Sequence, residues 1–179
     1  MKEMVYMPNN IKEVLHEGTY LDHKFVILNL GMHPTAYVEC KIENCRRYMD
    51  ERLDDVRVHG GFTYFGQPHW TDEDKTVYLG WDYGHAGDFA GYYLKYPEWE
   101  ILGEKKWTTK EIYHEVKIVI EDLIKVENLQ IPKKVIVHGI RPDREVNTVS
   151  FTCPNCNSHL SRQSICPECN QVLDWSDLE

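Results

Sequence analysis

Apolar positions along this chain follow two rhythms. Between residues 24 and 40, and again between 56 and 81, they come in short runs rich in β-branched and aromatic side chains, bounded by glycine, proline and charge. That is the signature of strands. From 110 to 127 the period lengthens, and Ile112, Val116, Val119, Ile120 and Leu123 form one helical stripe, with Lys117, Glu121 and Asp122 off it and expected in solvent. Thr108 and Glu111 make a capping-box pair ahead of this helix, and Asn128 and Pro132 end it. The pattern predicts strands over 24–30, 35–40, 56–64, 76–81, 134–138 and 146–152. Gly60-Gly61 marks a bulge or a close backbone approach within 56–64. A turn is expected over 31–34 and an exposed hairpin loop over 65–75. A short first helix is expected over 11–16, capped by Asn9 or Asn10 and stopped at Gly18. The charged stretch 41–55 reads equally as a polar helix or a surface loop. Strands in succession around one long helix give an α+β fold with a mainly antiparallel sheet.

The C-terminal segment follows a different rule. Cys153-Pro-Asn-Cys156 and Cys166-Pro-Glu-Cys169 are two C-x-x-C knuckles, each followed by an asparagine, Asn157 or Asn170. Two thiolate pairs complete a tetrahedron around one zinc ion, which closes the site and makes it structural. Asparagine tolerates the left-handed backbone such turns need. The expected organisation is an α+β core over 1–149, a four-cysteine zinc ribbon over 150–172 and an acidic tail over 173–179. Cys40 and Cys45 have no metal-type spacing.

Charge narrows the partners. With 20 basic and 29 acidic residues the formal charge is −9, which disfavours duplex nucleic acid. The ribbon segment itself holds Arg162 against Glu168, Asp174, Asp177 and Glu179. Residues 1–10 lack the apolar stretch of a secretory signal, and the run 25–28 is far too short to span a bilayer. With four cysteines assigned to metal, the expectation is a cytoplasmic protein with no membrane partner. Oligomeric state is left open.

Candidate chemistry gathers in 58–64 and 80–89. Asp82, His85 and Asp88 recur every third residue, while Gly84 and Gly87 break a regular helix, so the second stretch reads as a looped strand end. An adjacent antiparallel strand would bring His59 beside it. Three readings follow. In one, His59, Asp82, His85 and Asp88 hold a second divalent metal with open positions for hydrolysis. In another, Gly60, Gly61 and Gly87 let backbone approach a small anionic or nucleotide-like ligand, with Asp82, His85 and Tyr64 as polar contacts and Trp70, Trp81 and Tyr83 as stacking surfaces. In the third there is no ligand, and the Asp–His pairs satisfy nearby backbone amides. His33, beside Pro34, is a turn residue within reach of the same place, whereas His69, His114 and His138 read as surface or packing.

Val58-His59-Gly60-Gly61-Phe62-Thr63-Tyr64, followed by Gly80-Trp81-Asp82-Tyr83-Gly84-His85-Ala86-Gly87-Asp88, resembles a family of small proteins common in bacteriophages and bacterial genomes. Its members look like V-H-G-G-[LI]-T-[YF] followed by G-[FW]-D-x-x-H-x-G-D and a helix. The resemblance covers residues 20–128 and matches at His59, Gly60, Gly61, Asp82, His85, Gly87 and Asp88. Tyr83 and Gly84 stand at variable places, and the ribbon is an addition. The resemblance implies a setting rather than an activity, a phage protein in the host cytoplasm; joined to the reading of the site residues, it gives the expectation of a protein that binds a small nucleotide-like ligand and acts on host nucleotide immune signals by capture or metal-assisted phosphodiester hydrolysis. The alternative is a zinc-ribbon interaction module that binds and inhibits a host protein.

Overall fold

The computed structural model describes residues 1–71, 75–99, 103–139 and 149–178. The chain divides into two compact units, Met1–Ile124 and Lys125–Glu179. This division lies upstream of the expected boundary at 149/150, because segments after 130 pair with the cysteine-bearing segment.

The first unit is built on an antiparallel five-stranded sheet. Its strands are β1 (Glu13–Tyr20), β2 (His23–Asn29), β3 (Pro34–Glu39), β4 (Tyr64–Gly66) and β5 (Tyr78–Asp82), in the order β1-β2-β3-β5-β4. Helix α1 spans Thr109–Leu129. The expected helix over 11–16 is instead part of β1. Six residues are too few to sustain a helix on their own hydrogen bonds. Leu21 and Asp22, at φ 44° and 66°, make the tight two-residue turn that suits a hairpin. The turn sets Tyr20 opposite His23 and carries the segment into the sheet.

Strand β2 is buried along nearly its whole length because both faces of the sheet are covered. Val26, Leu28, Tyr37 and Tyr78 pack on one face with Tyr64 and Trp70 around them. Alternation places Phe25, Ile27, Leu79 and Trp81 on the other. Tyr113 of α1 meets the Phe25 ring at 5.2 Å. The helix stripe is as expected, with Ile112, Val116, Val119, Ile120 and Leu123 fully buried, but Asp122, expected in solvent, is buried as well because Arg57 caps its carboxylate. Of the expected loop over 65–75, Phe65 and Gly66 complete β4 and the rest lies in the β4–β5 connection, with 72–74 outside the described residues. Residues 41–55 contain a single short 3-10 turn, Glu51–Leu53.

The expected strand over 56–64 is the second correction. Among these residues only Tyr64 lies in a strand. Gly60 and Gly61 sit at φ +66° and +86°, which bends the chain out of any ladder, and Gly61 N donates to Val58 O at 3.3 Å. Pairing resumes only when Thr63 N reaches Gly80 O at 2.8 Å.

In the second unit, β6 (Lys133–Lys134) pairs in parallel with β10 (Leu173–Asp174). Strands β7 (Ile136–His138), β8 (Ser150–Thr152) and β9 (His159–Leu160) form an antiparallel sheet. The expected strand over 146–152 is seen as β8; its residues 146–148 lie outside the described ones. Of the expected acidic tail over 173–179, the described residues 173–178 instead contribute β10 and a short 3-10 turn, Ser176–Leu178. Buried Gln171 donates through Nε2 to the carbonyls of Ile131 (2.7 Å) and Leu129 (3.2 Å), satisfying groups that a helix end leaves open.

The helix start carries the first prediction. Thr108 N donates to Glu111 Oε2 at 2.9 Å, Glu111 N donates to Thr108 Oγ1 at 3.3 Å, and Lys105 pairs with the same carboxylate. The Lys105 ammonium, then the Thr108 donors, hold Glu111 down at about 2, from an ordinary 4.5. A depressed carboxyl stabilises the fold above its unfolded value and loses that contribution as pH falls. Thr108→Ala should cost about 1 kcal/mol in urea unfolding at pH 7. Glu111→Gln should also destabilise at pH 7, with the gap to wild type closing as pH falls from 4.5 towards 2.

Candidate functional site

The spacing of Asp82, His85 and Asp88 is that of a tight turn at the end of β5. Asp88 N donates to His85 O at 2.9 Å, and His85 N returns a bond to Asp88 Oδ2 at 3.0 Å. The Asp88 side chain is thereby turned inward and is only 4% exposed. A buried carboxylate needs donors, and it has two more: His59 Nε2 meets Oδ2 at 2.7 Å and Trp107 Nε1 meets Oδ1 at 2.7 Å. Burial alone would raise the Asp88 carboxyl, but the Trp107, His59 and His85 donors outweigh it and leave the group below its ordinary range. With Asp88 ionised, a neutral His59 donates through a protonated Nε2.

Gly60 is required where it stands. A Cβ there would lie 2.1 Å from His85 Cε1, at a φ that side chains rarely adopt. The bare backbone lets the two imidazoles approach to 5.3 Å between ring centroids. Tyr83 stacks on His59 at 5.1 Å and 8°, and Trp107 closes on the same ring at 4.9 Å. Beside His59 opens a cleft of about 360 Å³ lined by Arg57, Val58, Glu115 and Ile118. Arg57 is held by Asp122 through Nε and Nη2 at 2.8 and 3.0 Å. Glu115 accepts the Tyr83 hydroxyl, which in turn accepts from Trp81 Nε1 at 2.9 Å.

One atom is left over. His85 Nδ1 is buried and has no hydrogen-bond partner among the described residues. It sits 3.7 Å from Asp88 Oδ2 and 3.8 Å from Asp82 Oδ1. Ligand atoms of His59, His85 and Asp88 all lie within 4.8 Å of one another. Two imidazoles and a carboxylate are a donor set for zinc, manganese or iron, with positions to spare for a ligand.

The expected residues are not all in one place. His59, His85 and Asp88 come together, from a turn rather than from the strand expected for His59. Asp82 stands beside them, its carboxylate accepting from Thr63 Oγ1 at 3.2 Å and Gly84 N at 3.0 Å. His33 packs against Gly84, where a Cβ would come within 3.2 Å of its ring. Gly87, at φ +95°, faces open space. Trp81 and Tyr83 are at most 1% exposed and enter the site as packing. Tyr64 belongs to the other face of the sheet, 5.3 Å from Tyr37, with its hydroxyl on Gln67 O. Sequence reasoning missed Trp107 and Glu115. Neither is singled out by local pattern: Trp107 stands just before the capping box and Glu115 beside the apolar helix stripe, while their partners, Asp88 and Tyr83, lie far off in sequence.

In the second unit, the sulfurs of Cys153 and Cys169, and of Cys156 and Cys166, are 3.7 Å apart. A zinc–sulfur bond of about 2.3 Å gives a tetrahedral edge of about 3.8 Å, whereas a disulfide needs about 2.05 Å. The cluster therefore has the dimensions of a metal site. Asn157 and Asn170 have φ of 61° and 59°, as expected of the knuckles. Each asparagine N–H returns to the first cysteine carbonyl of its knuckle, at 3.0 and 2.9 Å. Cys153, Cys166, Leu160, Leu173 and Val135 form the buried core here, so ligand and core are the same residues. Lys134, also in this unit, is paired with Asp177.

Comparison with protein-family models, curated proteins and solved structures gives no match. Among the described residues no helix is long and apolar enough to cross a membrane.

Gly60→Ala and Gly61→Ala separate crowding from strain. Both place alanine at positive φ, but nothing lies within 4 Å of a Cβ at Gly61. Each should lose roughly 1–3 kcal/mol in chemical unfolding. Only Gly60→Ala should shift the His59 and His85 ring resonances in NMR spectra.

Proposed function

We propose that the Met1–Ile124 unit binds a divalent metal through His59, His85 and Asp88 and uses it to bind and hydrolyse a small phosphodiester, with a nucleotide-like molecule as the ligand class. The observation that carries this reading is the orphaned His85 Nδ1, buried beside two carboxylates. Leaving such an atom unpaired costs about 1–3 kcal/mol, and a cation shared with His59 and Asp88 removes that cost. Electrostatics support the same order of events. Asp82, Asp88 and Glu115 surround the site and Arg57 is already paired with Asp122, so an anionic ligand is repelled until a cation reverses the local charge. A bound divalent ion would supply Lewis acidity and lower the pKa of a coordinated water. Asp82 stands ready to accept a proton or a hydrogen bond from the ligand. Trp81 and Tyr83 are buried, so a base would lie in the cleft beside His59 rather than stacked on them.

The reading also assigns zinc to the four cysteines, as a structural ion that closes the second unit. A second role for that unit is favoured by its exposed apolar side chains. Ile131, Ile136, Val137 and Ile165 are between 39% and 58% exposed, which suits contact with another protein. The family resemblance gives both roles a setting in a phage-infected host cytoplasm.

Two outcomes are expected. Purified protein should carry one tightly held zinc. Cys153→Ser should lose it and unfold the second unit, since structural zinc supplies about 10–16 kcal/mol in finger peptides. In a nucleotide thermal-shift screen, stabilisation should require added Mn²⁺ or Zn²⁺ and vanish in His85→Ala. Equal nucleotide binding with and without EDTA, or in His85→Ala, overturns the assignment.

A further inference from the structure

We propose that Trp107 is the positioning residue of this site: its indole N–H fixes the Asp88 carboxylate so that one oxygen alone is presented to the two histidines. The inference rests on the metal reading above but reads out independently of it.

The argument starts from the two oxygens of Asp88. They have separate tasks. Oδ2 faces His59 Nε2 at 2.7 Å, accepts His85 N–H at 3.0 Å, and is the atom 3.7 Å from the orphaned His85 Nδ1. Oδ1 takes the Trp107 Nε1 proton at 2.7 Å. A carboxylate can rotate about its terminal torsion, and such torsions are broad. The Oδ1 anchor removes that freedom. A carboxylate bonded on one oxygen by an indole and offering the other to two histidines is the arrangement by which outer partners orient metal ligands.

Trp107 also sets the His59 ring, which it contacts at 4.9 Å while Tyr83 stacks at 5.1 Å. The tryptophan is held in its turn. Tyr6 Oη accepts Trp107 N–H at 2.8 Å, and the Tyr6 hydroxyl leans on Trp107 O at 3.4 Å. The strand-like segment before it is bonded to the Asp88 turn, with Lys105 N on Gly87 O at 2.7 Å and Phe89 N on Lys105 O at 2.9 Å. The Lys105 ammonium lies 5.1 Å from the centre of the indole ring. A tryptophan serving only as packing would need neither the short bond to Asp88 nor the double contact with Tyr6.

The test is Trp107→Phe, which keeps an aromatic ring and removes the donor. Two quantities are measured: Mn²⁺ affinity by electron paramagnetic resonance on the zinc-loaded protein, and the His59 tautomer by nitrogen-15 NMR without Mn²⁺. Expected are Mn²⁺ binding weaker by about 10–100-fold and a His59 that no longer holds the single Nε2–H tautomer. Wild-type affinity together with an unchanged tautomer overturns the inference. If wild-type protein binds no Mn²⁺, the metal reading fails and the tautomer alone decides: a mixture in Trp107→Phe upholds the positioning role, an unchanged ring overturns it. Should Trp107→Phe not fold, Tyr6→Phe decides by the same measurements. It leaves the indole in place and loosens its backbone, so a smaller loss in the same direction supports the role and no change overturns it.

Discussion

A carboxylate taken out of water is the constraint around which the first unit is arranged. Asp88 is ionised and almost wholly buried, and such a group is tolerated only where donors replace its hydration. Its donors come from three separate stretches of chain: the His59 turn, the backbone of His85 and the indole of Trp107. Meeting that need pulls the 58–61 turn, the end of β5 and the segment leading into α1 onto one point. It also explains why Gly60 must lack a side chain and why the Thr108–Glu111 cap sits where it does, one residue beyond Trp107.

The same convergence gives the site its chemical character. Donors sufficient to hold Asp88 leave one nitrogen of this cluster, His85 Nδ1, without a hydrogen-bond partner, and Asp82 and Glu115 stand nearby while Arg57 in the cleft wall is paired with Asp122. A buried nitrogen left unpaired beside two acids costs free energy. A cation resolves both features together, which makes metal binding a more economical account than a purely structural Asp–His pair. The second unit solves its stability problem differently. Its core is small and includes the sulfurs of Cys153 and Cys166, so a metal held by the four cysteines would bind the core's own residues.

Periodic features of the fold were legible in the sequence. The helix stripe from Ile112 to Leu123, the strands β2, β3 and β5 and the left-handed asparagines of the knuckles follow from local spacing and conformational preference alone. The first segment was misread because the Leu21–Asp22 turn uses a leucine at positive φ, for which no sequence signal exists. Residues 56–64 alternate like a strand, but the glycine pair makes a full turn; of the two readings of that pair, Gly60 bears out the close backbone approach, against His85, and not the bulge. Of the site, His59, His85 and Asp88 were visible as a dense cluster of ligand-type residues. Trp107 was not, since its partner lies nineteen positions away and nothing in an isolated tryptophan announces a hydrogen bond to a distant carboxylate. Sequence neighbourhood puts Tyr64 and Trp81 near the site, but strand alternation sends Tyr64 to the other face of the sheet, and Trp81 reaches the site only as buried packing behind Tyr83.

The most direct measurement is anomalous diffraction from crystals soaked in Mn²⁺, recorded on both sides of the manganese absorption edge. The account predicts a peak bounded by His59 Nε2, His85 Nδ1 and Asp88 Oδ2, with the His59–Asp88 hydrogen bond replaced by two metal contacts. Density showing that hydrogen bond intact, with no anomalous signal between the three side chains at saturating Mn²⁺, would contradict it.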